Sequence, residues 1–236
     1  MSRHAQPSSL GLRDIGLLAG LSQERLDVLA KECVWRRYEG GQRIISRNAR
    51  DRDVHLLVAG KARVTTYSAG GRQVTFRDEG AGALFGDMAA IDEGPRSADV
   101  IALGSVLVAS MPPATFRRLL TDEPQVAERI MQRLAGLVRR LSQRVIDVST
   151  LGVRNRIHAE LLRLAREAGV VRNSARLDPA PRHADLASQV STYREQVTRE
   201  LSTLVKAGIL KKQDGALVVR DVDRLARLVK DVRNEG

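Results

Sequence analysis

The chain is expected to fold as α+β: a β sandwich or jelly roll leads through one long helix into a compact helical region closed by a hairpin. Three observations predict this. Short β-rich runs divided by glycine turns fill residues 39–111, an apolar stripe at 4-3-4 spacing follows through Ile130, Leu134, Leu137 and Leu141, and beyond Gly152 the chain turns helical and basic. Many short strands at such spacing close into sandwiches, and a narrow apolar stripe on a charged helix asks for a partner helix. A chain of 236 residues is long for one domain and comfortable for two.

Taken in order, Leu17, Leu18, Leu21, Leu26 and Leu29 read as short helices, with Ser22 as an N-cap ahead of Glu24 and Arg25. Strands are expected at Arg43–Ser46, Val54–Val58, Ala62–Tyr67, Gln73–Phe76, Ala98–Ala102 and Val106–Ser110. They are separated by Gly40-Gly41, Gly60-Lys61, Gly70-Gly71, Gly80–Gly82 and Gly94-Pro95. Pro113 and Thr115 open a helical region running to Leu151, whose stripe continues through Val145 and Val148 and is read as the seam of a symmetric dimer. Helices are then expected at His158–Ala168, Arg182–Val190 and Tyr193–Ala207, the last ending at Gly208, before a hairpin over Ile209–Arg220 that turns at Asp214-Gly215.

Charge and composition narrow the function classes. Residues 1–152 hold 22 basic and 17 acidic groups, and residues 153–236 hold 17 and 11, so the C-terminal third carries about twice the net charge per residue and points to a polyanionic partner. Cys33 is the only cysteine, which excludes an intrachain disulfide and any all-cysteine metal site and fits a reducing cytoplasm. His4, His55, His158 and His183 are scattered without metal-ligand spacing, so no metal is expected and each is read as structural or surface. No apolar run reaches the roughly 18 residues of a membrane span, and residues 1–10 lack the apolar core of a signal peptide. No nucleophile-and-base motif or Walker-type loop is present, so no enzyme is expected. Three Tyr, three Phe and one Trp are too few for binding single strands by base stacking.

Two stretches carry chemistry. Phe85–Ala98, reading Phe-Gly-Asp-Met-Ala-Ala-Ile-Asp-Glu-Gly-Pro-Arg-Ser-Ala, gathers the groups a cyclic nucleotide monophosphate needs. Gly86 admits close backbone approach, Asp87 suits a ribose 2′-OH, Met88 continues an N–H run, and Arg96 with Ser97 offers a fork and a hydroxyl to phosphate. In residues 183–202, counted from His183, the fifth, ninth and fifteenth positions are Ala187, Ser191 and Val197, the small, turn and β-branched residues of a helix-turn-helix. Leu186, Val190 and Leu201 face inward. Arg194, Glu195, Gln196 and Arg199 then face outward, where Arg can fork onto guanine and Glu can accept from cytosine N4.

The first stretch resembles the phosphate-binding cassette of cyclic-nucleotide-binding domains, Phe-Gly-Glu-(Leu/Met)-Ala-x-x-x-x-x-Pro-Arg-Ser-Ala, with Asp87 in place of Glu. The second resembles the winged helix-turn-helix of the CRP/FNR family, whose recognition helix carries Arg-Glu-x-x-x-Arg, here Arg194, Glu195 and Arg199. Ser191 replaces a usual Gly, where a left-handed backbone costs about 1 kcal/mol, and Gln196 replaces a Thr. The resemblance covers nearly the whole chain. It implies an N-terminal cyclic-nucleotide-binding jelly roll (1–118), a dimerisation helix (119–152) and a C-terminal winged helix-turn-helix (153–236). It also implies a nucleotide site of Gly86, Asp87, Met88, Arg96, Ser97 and, from the dimer helix, Ser142, and a DNA face of His183, Tyr193, Arg194, Glu195, Gln196 and Arg199. The implied protein is a cytoplasmic homodimer responding to cAMP, binding palindromic double-stranded DNA and working with RNA polymerase, away from the membrane. Cyclic di-GMP, cGMP, a haem, gas or redox input, ligand-independent binding, and a regulatory subunit acting on a protein partner stand as alternatives.

Overall fold

The computed structural model describes residues 3–4, 6–68, 70–71 and 73–233, with side chains described from residue 6 to 230; the side chain of His4 lies outside the described residues. The chain divides into two compact units, residues 1–137 and 138–236.

The first unit opens with β1 (Arg3–His4), two 3-10 turns at Ser9–Leu12 and Gly16–Leu18, and α1 (Gln23–Glu32). The Ser22 hydroxyl accepts from the Arg25 N–H at 3.2 Å, satisfying a donor that the helix start would otherwise orphan. The strands follow as β2 (Val34–Tyr38), β3 (Arg43–Ile45), β4 (Val54–Ala59), β5 (Lys61–Tyr67), β6 (Gln73–Gly80) and β7 (Leu84–Phe85). Then come α2 (Asp87–Asp92), β8 (Asp99–Ala102), β9 (Val106–Met111), α3 (Pro113–Asp122) and α4 (Pro124–Thr150). They form two antiparallel sheets in the orders β1-β2-β9-β4-β7 and β3-β8-β5-β6.

Alternate residues of the strands fill different cores, as the pleat requires. Leu57, Val64, Phe85, Val100 and Val108 belong to one buried cluster; Trp35, Leu56, Met111, Phe116, Val126 and Ile130 belong to another, which includes α1, α3 and the start of α4. Several elements depart from expectation, among them β1, β7 and α2, where no strand or helix was expected. β2 was not anticipated because Arg36 and Arg37, both exposed, interrupt its alternation. The single helix expected from Pro113 is broken, because Pro124 lacks an N–H and drives Glu123 to φ −126°, ψ 82°, outside the helical region.

The second unit holds the end of α4, α5 (Val153–Ala168), β10 (Ala175–Leu177), α6 (His183–Gln189), α7 (Arg194–Lys206), β11 (Leu210–Gln213), β12 (Ala216–Val219) and α8 (Val222–Arg233). Its core gathers Leu161, Leu186, Val197, Leu201, Leu217 and Leu225. α7 ends in a Schellman turn: Gly208 sits at φ 73°, the Ile209 N–H donates to Leu204 O and the Gly208 N–H to Val205 O, both at 3.0 Å. The hairpin turns at Asp214 and Gly215, at φ 50° and 74°, with Gln213 opposite Ala216. α8 and β10 were not anticipated, and α5 starts five residues before His158. Among the described residues no helix is long and apolar enough to cross a membrane.

Candidate functional site

The first site forms where β7 turns into α2. Gly86 takes φ 84°, and a Cβ there would lie 2.6 Å from Arg96 Nη1 and 3.0 Å from Asp53 O, so glycine alone admits the arginine. Arg96 is 3 % exposed. Its Nη1 donates to Gly86 O at 2.8 Å, its Nη2 to Asp53 O at 2.8 Å, and its Nε and Nη2 to Asp51 Oδ2 at 3.1 and 2.5 Å. A guanidinium has five N–H groups, so one on Nη1 is left over. It adjoins a narrow opening of about 60 Å³ lined by Gly86, Asp87, Met88, Arg96, Ser97 and, from α4, Leu137, among others.

Five of the six expected nucleotide residues therefore meet at one opening. Asp87, only 5 % exposed, comes already partnered: its Oδ2 lies 3.4 Å from Arg133 Nε, and Arg133 also donates to Leu84 O at 2.6 Å and to Glu79 at 3.3 Å. Met88 and Ser97 are exposed. Ser142 lies further along α4, is exposed, and is not among the lining residues. Sequence reasoning missed Asp51, Asp53 and Arg133, because their pairings with the cassette span more than forty positions and leave no local pattern.

The stripe on α4 divides between two tasks. Ile130 is 4 % exposed and is spent within its own unit's core rather than on a partner seam, while Leu134 packs against that core and Leu137 lines the opening, each partly exposed. Leu141, Val145 and Val148 are exposed, as are Val138 and Ile146.

The second site is built on α6 and α7. Ser191 takes φ 57° in the turn, the left-handed conformation glycine would adopt freely, and the Thr192 N–H donates to Ala187 O at 2.9 Å. The turn is gripped by Arg144, which donates to Gln189 O at 2.8 Å, and by Arg156, which donates to Val190 O at 3.0 Å. Val197 is buried, which turns Arg194, Glu195 and Arg199 outward around a shallow hollow that Thr198 and Ser202 complete. Those last two were not anticipated, though they fall three and seven positions after Glu195 on the same face. Gln196 is drawn aside by a hydrogen bond from the Thr192 hydroxyl and does not line the hollow.

Tyr193 caps α7 and is exposed; His183 pairs with Thr198 Oγ1 at 2.7 Å. Burial, with Lys212 and Arg194 nearby, pushes the His183 pKa down. A hollow of about 450 Å³ lies between His183, Leu201 and the hairpin, where Lys212 stands exposed. Beneath the face, Glu200 is held by His158 Nε2 at 2.6 Å and Arg154 Nε at 3.3 Å, fastening α7 to α5.

Comparison with known proteins follows the same division. Residues 35–123 match the cyclic nucleotide-binding domain and residues 155–228 match the Crp-like helix-turn-helix domain. The cyclic AMP receptor protein of Thermus thermophilus is 30 % identical over 214 residues, covering 90 % of this chain and 95 % of that one. Among solved structures, a CooA mutant from Carboxydothermus hydrogenoformans superposes with a TM-score of 0.78 at 19 % identity, covering 96 % of this chain and 98 % of that one. The c-di-GMP-responsive global regulator CLP of Xanthomonas campestris gives 0.72 at 18 %, covering 84 % and 99 %. At those identities the two structures speak for the fold alone.

Proposed function

Because the chain belongs to the CRP/FNR family of DNA-binding transcription regulators, we propose that it works in the cytoplasm as a homodimer that senses cAMP in its sandwich and reads a palindromic DNA site with α7. The observation that carries the ligand reading is Arg96, buried at the wall of the opening with a spare Nη1 N–H beside Gly86 and Ser97. A cyclic phosphate would take that N–H and the Ser97 hydroxyl as charge-assisted hydrogen bonds. The ribose would lie toward Asp87, and Ser142 is assigned to the base.

A second input, cyclic di-GMP, is favoured by one observation: Asp87, the ribose residue, is already engaged by Arg133. Calorimetric titration with cAMP, cGMP and cyclic di-GMP separates the readings. Saturable cAMP binding supports the first, binding of cyclic di-GMP alone replaces it with the second, and binding of none removes both.

The dimer reading rests on Val138, Leu141, Val145 and Val148, exposed apolar residues on a helix whose other faces are charged. Leu141→Asp would bury a carboxylate on both sides of such a seam and is expected to give monomers by sedimentation; a dimeric variant at micromolar concentration would place the seam elsewhere. On DNA, Arg194 and Arg199 are assigned to guanines and Glu195 to cytosine N4, so each half-site should hold a G-x-G core, two of them inverted about 10–10.5 base pairs apart. Selection from random duplexes tests this, and recovery of no inverted repeat refutes it. RNA polymerase is the further partner such a regulator needs.

A further inference from the structure

Behind Arg96, on the side away from the nucleotide opening, the first unit holds a crevice of about 280 Å³ whose walls include Arg36, Tyr38, Asp51, Asp53, His55 and Ser110. None of these residues lines the opening used above. The chain at the end of β3 separates the two hollows: Ile45 lines the nucleotide opening, while its neighbours Ile44 and Ser46 line the crevice.

Two features of the crevice are unfinished. The Asp53 carboxylate makes no hydrogen bond or ion pair among the described residues, although its backbone carbonyl holds Arg96. Burial and the neighbouring Asp51 carboxylate push its pKa up, outweighing the opposing charges of Arg96 and Arg36. On the floor, His55 is 6 % exposed; its Nδ1 pairs with Ser110 Oγ at 2.9 Å, and its Nε2 is buried with no partner among the described residues. A buried ring nitrogen with an unused capacity costs free energy that a bound polar group would recover.

The complement of this chemistry is specific. Asp51 holds Arg96 through Oδ2 alone, so its Oδ1 and the Asp53 carboxylate line one hollow, and an ammonium, with three rotatable donors on a compact charge, can serve both at once. A metal ion is a poor fit, since no three His, Cys, Asp or Glu side chains gather to hold one among the described residues. Arg36, exposed at the wall, can take a carboxylate on the same molecule.

From these groups we infer that the crevice is a second ligand site, separate from the nucleotide site, which binds a small primary-ammonium compound with its ammonium at Asp51 and Asp53 and a polar group against His55. The inference does not rest on the nucleotide reading, because no residue assigned to the nucleotide lines this hollow.

Calorimetric titration of the ligand-free full-length protein with putrescine, ornithine and pentanoate tests it. Putrescine and ornithine should each bind once per chain, and pentanoate, which lacks the ammonium, should not. Asp53→Asn should weaken amine binding at least about tenfold, the loss of one charge-assisted hydrogen bond. Should that variant fail to fold, Asp51→Asn removes the other carboxylate and carries the same expectation. Arg36→Gln should weaken ornithine and spare putrescine. Failure of both amines to bind at millimolar concentration, binding of pentanoate with equal strength, or an Asp53→Asn protein that binds amines like the parent overturns the site.

Discussion

Arg96 in the sandwich and Arg199 on α7 carry the same guanidinium in opposite settings. Arg96 is buried and donates four hydrogen bonds to its own chain, whereas the side chain of Arg199 stands exposed with no hydrogen bond among the described residues. On the proposed reading, Arg96 meets a small ligand that can be enclosed, so it can be fixed in advance as part of the fold, which lowers the ordering cost on binding. Arg199 is proposed to meet a DNA duplex, which cannot be enclosed, so it stays hydrated and finds its partner only on contact. The contrast predicts that substitutions at the first site change folding and binding together, while those at the second change binding alone.

The largest effect is expected from Arg96→Ala, in two readouts. If cAMP is the ligand, as proposed, losing a charge-assisted contact should weaken its binding by about 1.5–3 kcal/mol. Leaving the Gly86 and Asp53 carbonyls without their donor should lower unfolding free energy by about 1–3 kcal/mol. Calorimetry and urea melts measure the two, and a loss of affinity with unchanged stability would break the comparison at its buried end.

Arg199→Ala should cost about 1–3 kcal/mol on a cognate duplex and relax preference at one base pair, with the melting temperature unmoved. Gel-shift titration on a substituted duplex series reads the preference; a drop in thermal stability would show that the exposed arginine is structural after all.

His55 belongs to the buried side. Burial first, then the Arg96 charge, pushes its pKa from 6.5 to about 3. The unfolded chain thus takes up a proton near pH 6.5 that the folded one refuses, so this residue's effect is nil above that pH and destabilising as pH falls toward 3. At pH 5 the loss should be about 2 kcal/mol. Melts at pH 7 and pH 5 should show that difference in the parent and a smaller one in His55→Phe.

The smallest effect is expected from Lys212→Ala on the hairpin: all duplex sequences should weaken alike, and the slope of log affinity against log salt should shrink by about 1. Fluorescence anisotropy at several salt concentrations measures it, and a sequence-selective loss would move Lys212 among the base-reading residues.

What the sequence disclosed, and what it withheld, follows from the range of each interaction. The cassette and the helix-turn-helix lie within fourteen and twenty consecutive residues, so their glycine, turn and apolar positions were legible, down to the left-handed Ser191. Ser22 as a cap and Gly208 as a terminator are likewise local. The Asp51 and Asp53 contacts to Arg96, and that of Arg133 to Asp87, are created only by folding, and nothing in the strand pattern foretells them. Ile130 illustrates a different failure: its place in a continuous heptad-like stripe suggested a seam, but which part of such a stripe faces its own core depends on where the sandwich ends.

Arg144 and Arg156 lie on opposite sides of Gly152, in α4 and α5, and both end on the turn that joins α6 to α7. Arg156 also donates to Leu151 O at 2.7 Å, within the bend itself. In kinematic terms the joint at Gly152 is splinted: α5 can swing against the end of α4 only if one arginine releases a carbonyl, at a cost of about 1.5–3 kcal/mol. The orientation of α7 is therefore tied to the last turns of α4 through hydrogen bonds that run beside the backbone bend, and a glycine that looks like a swivel in the sequence is held from both sides.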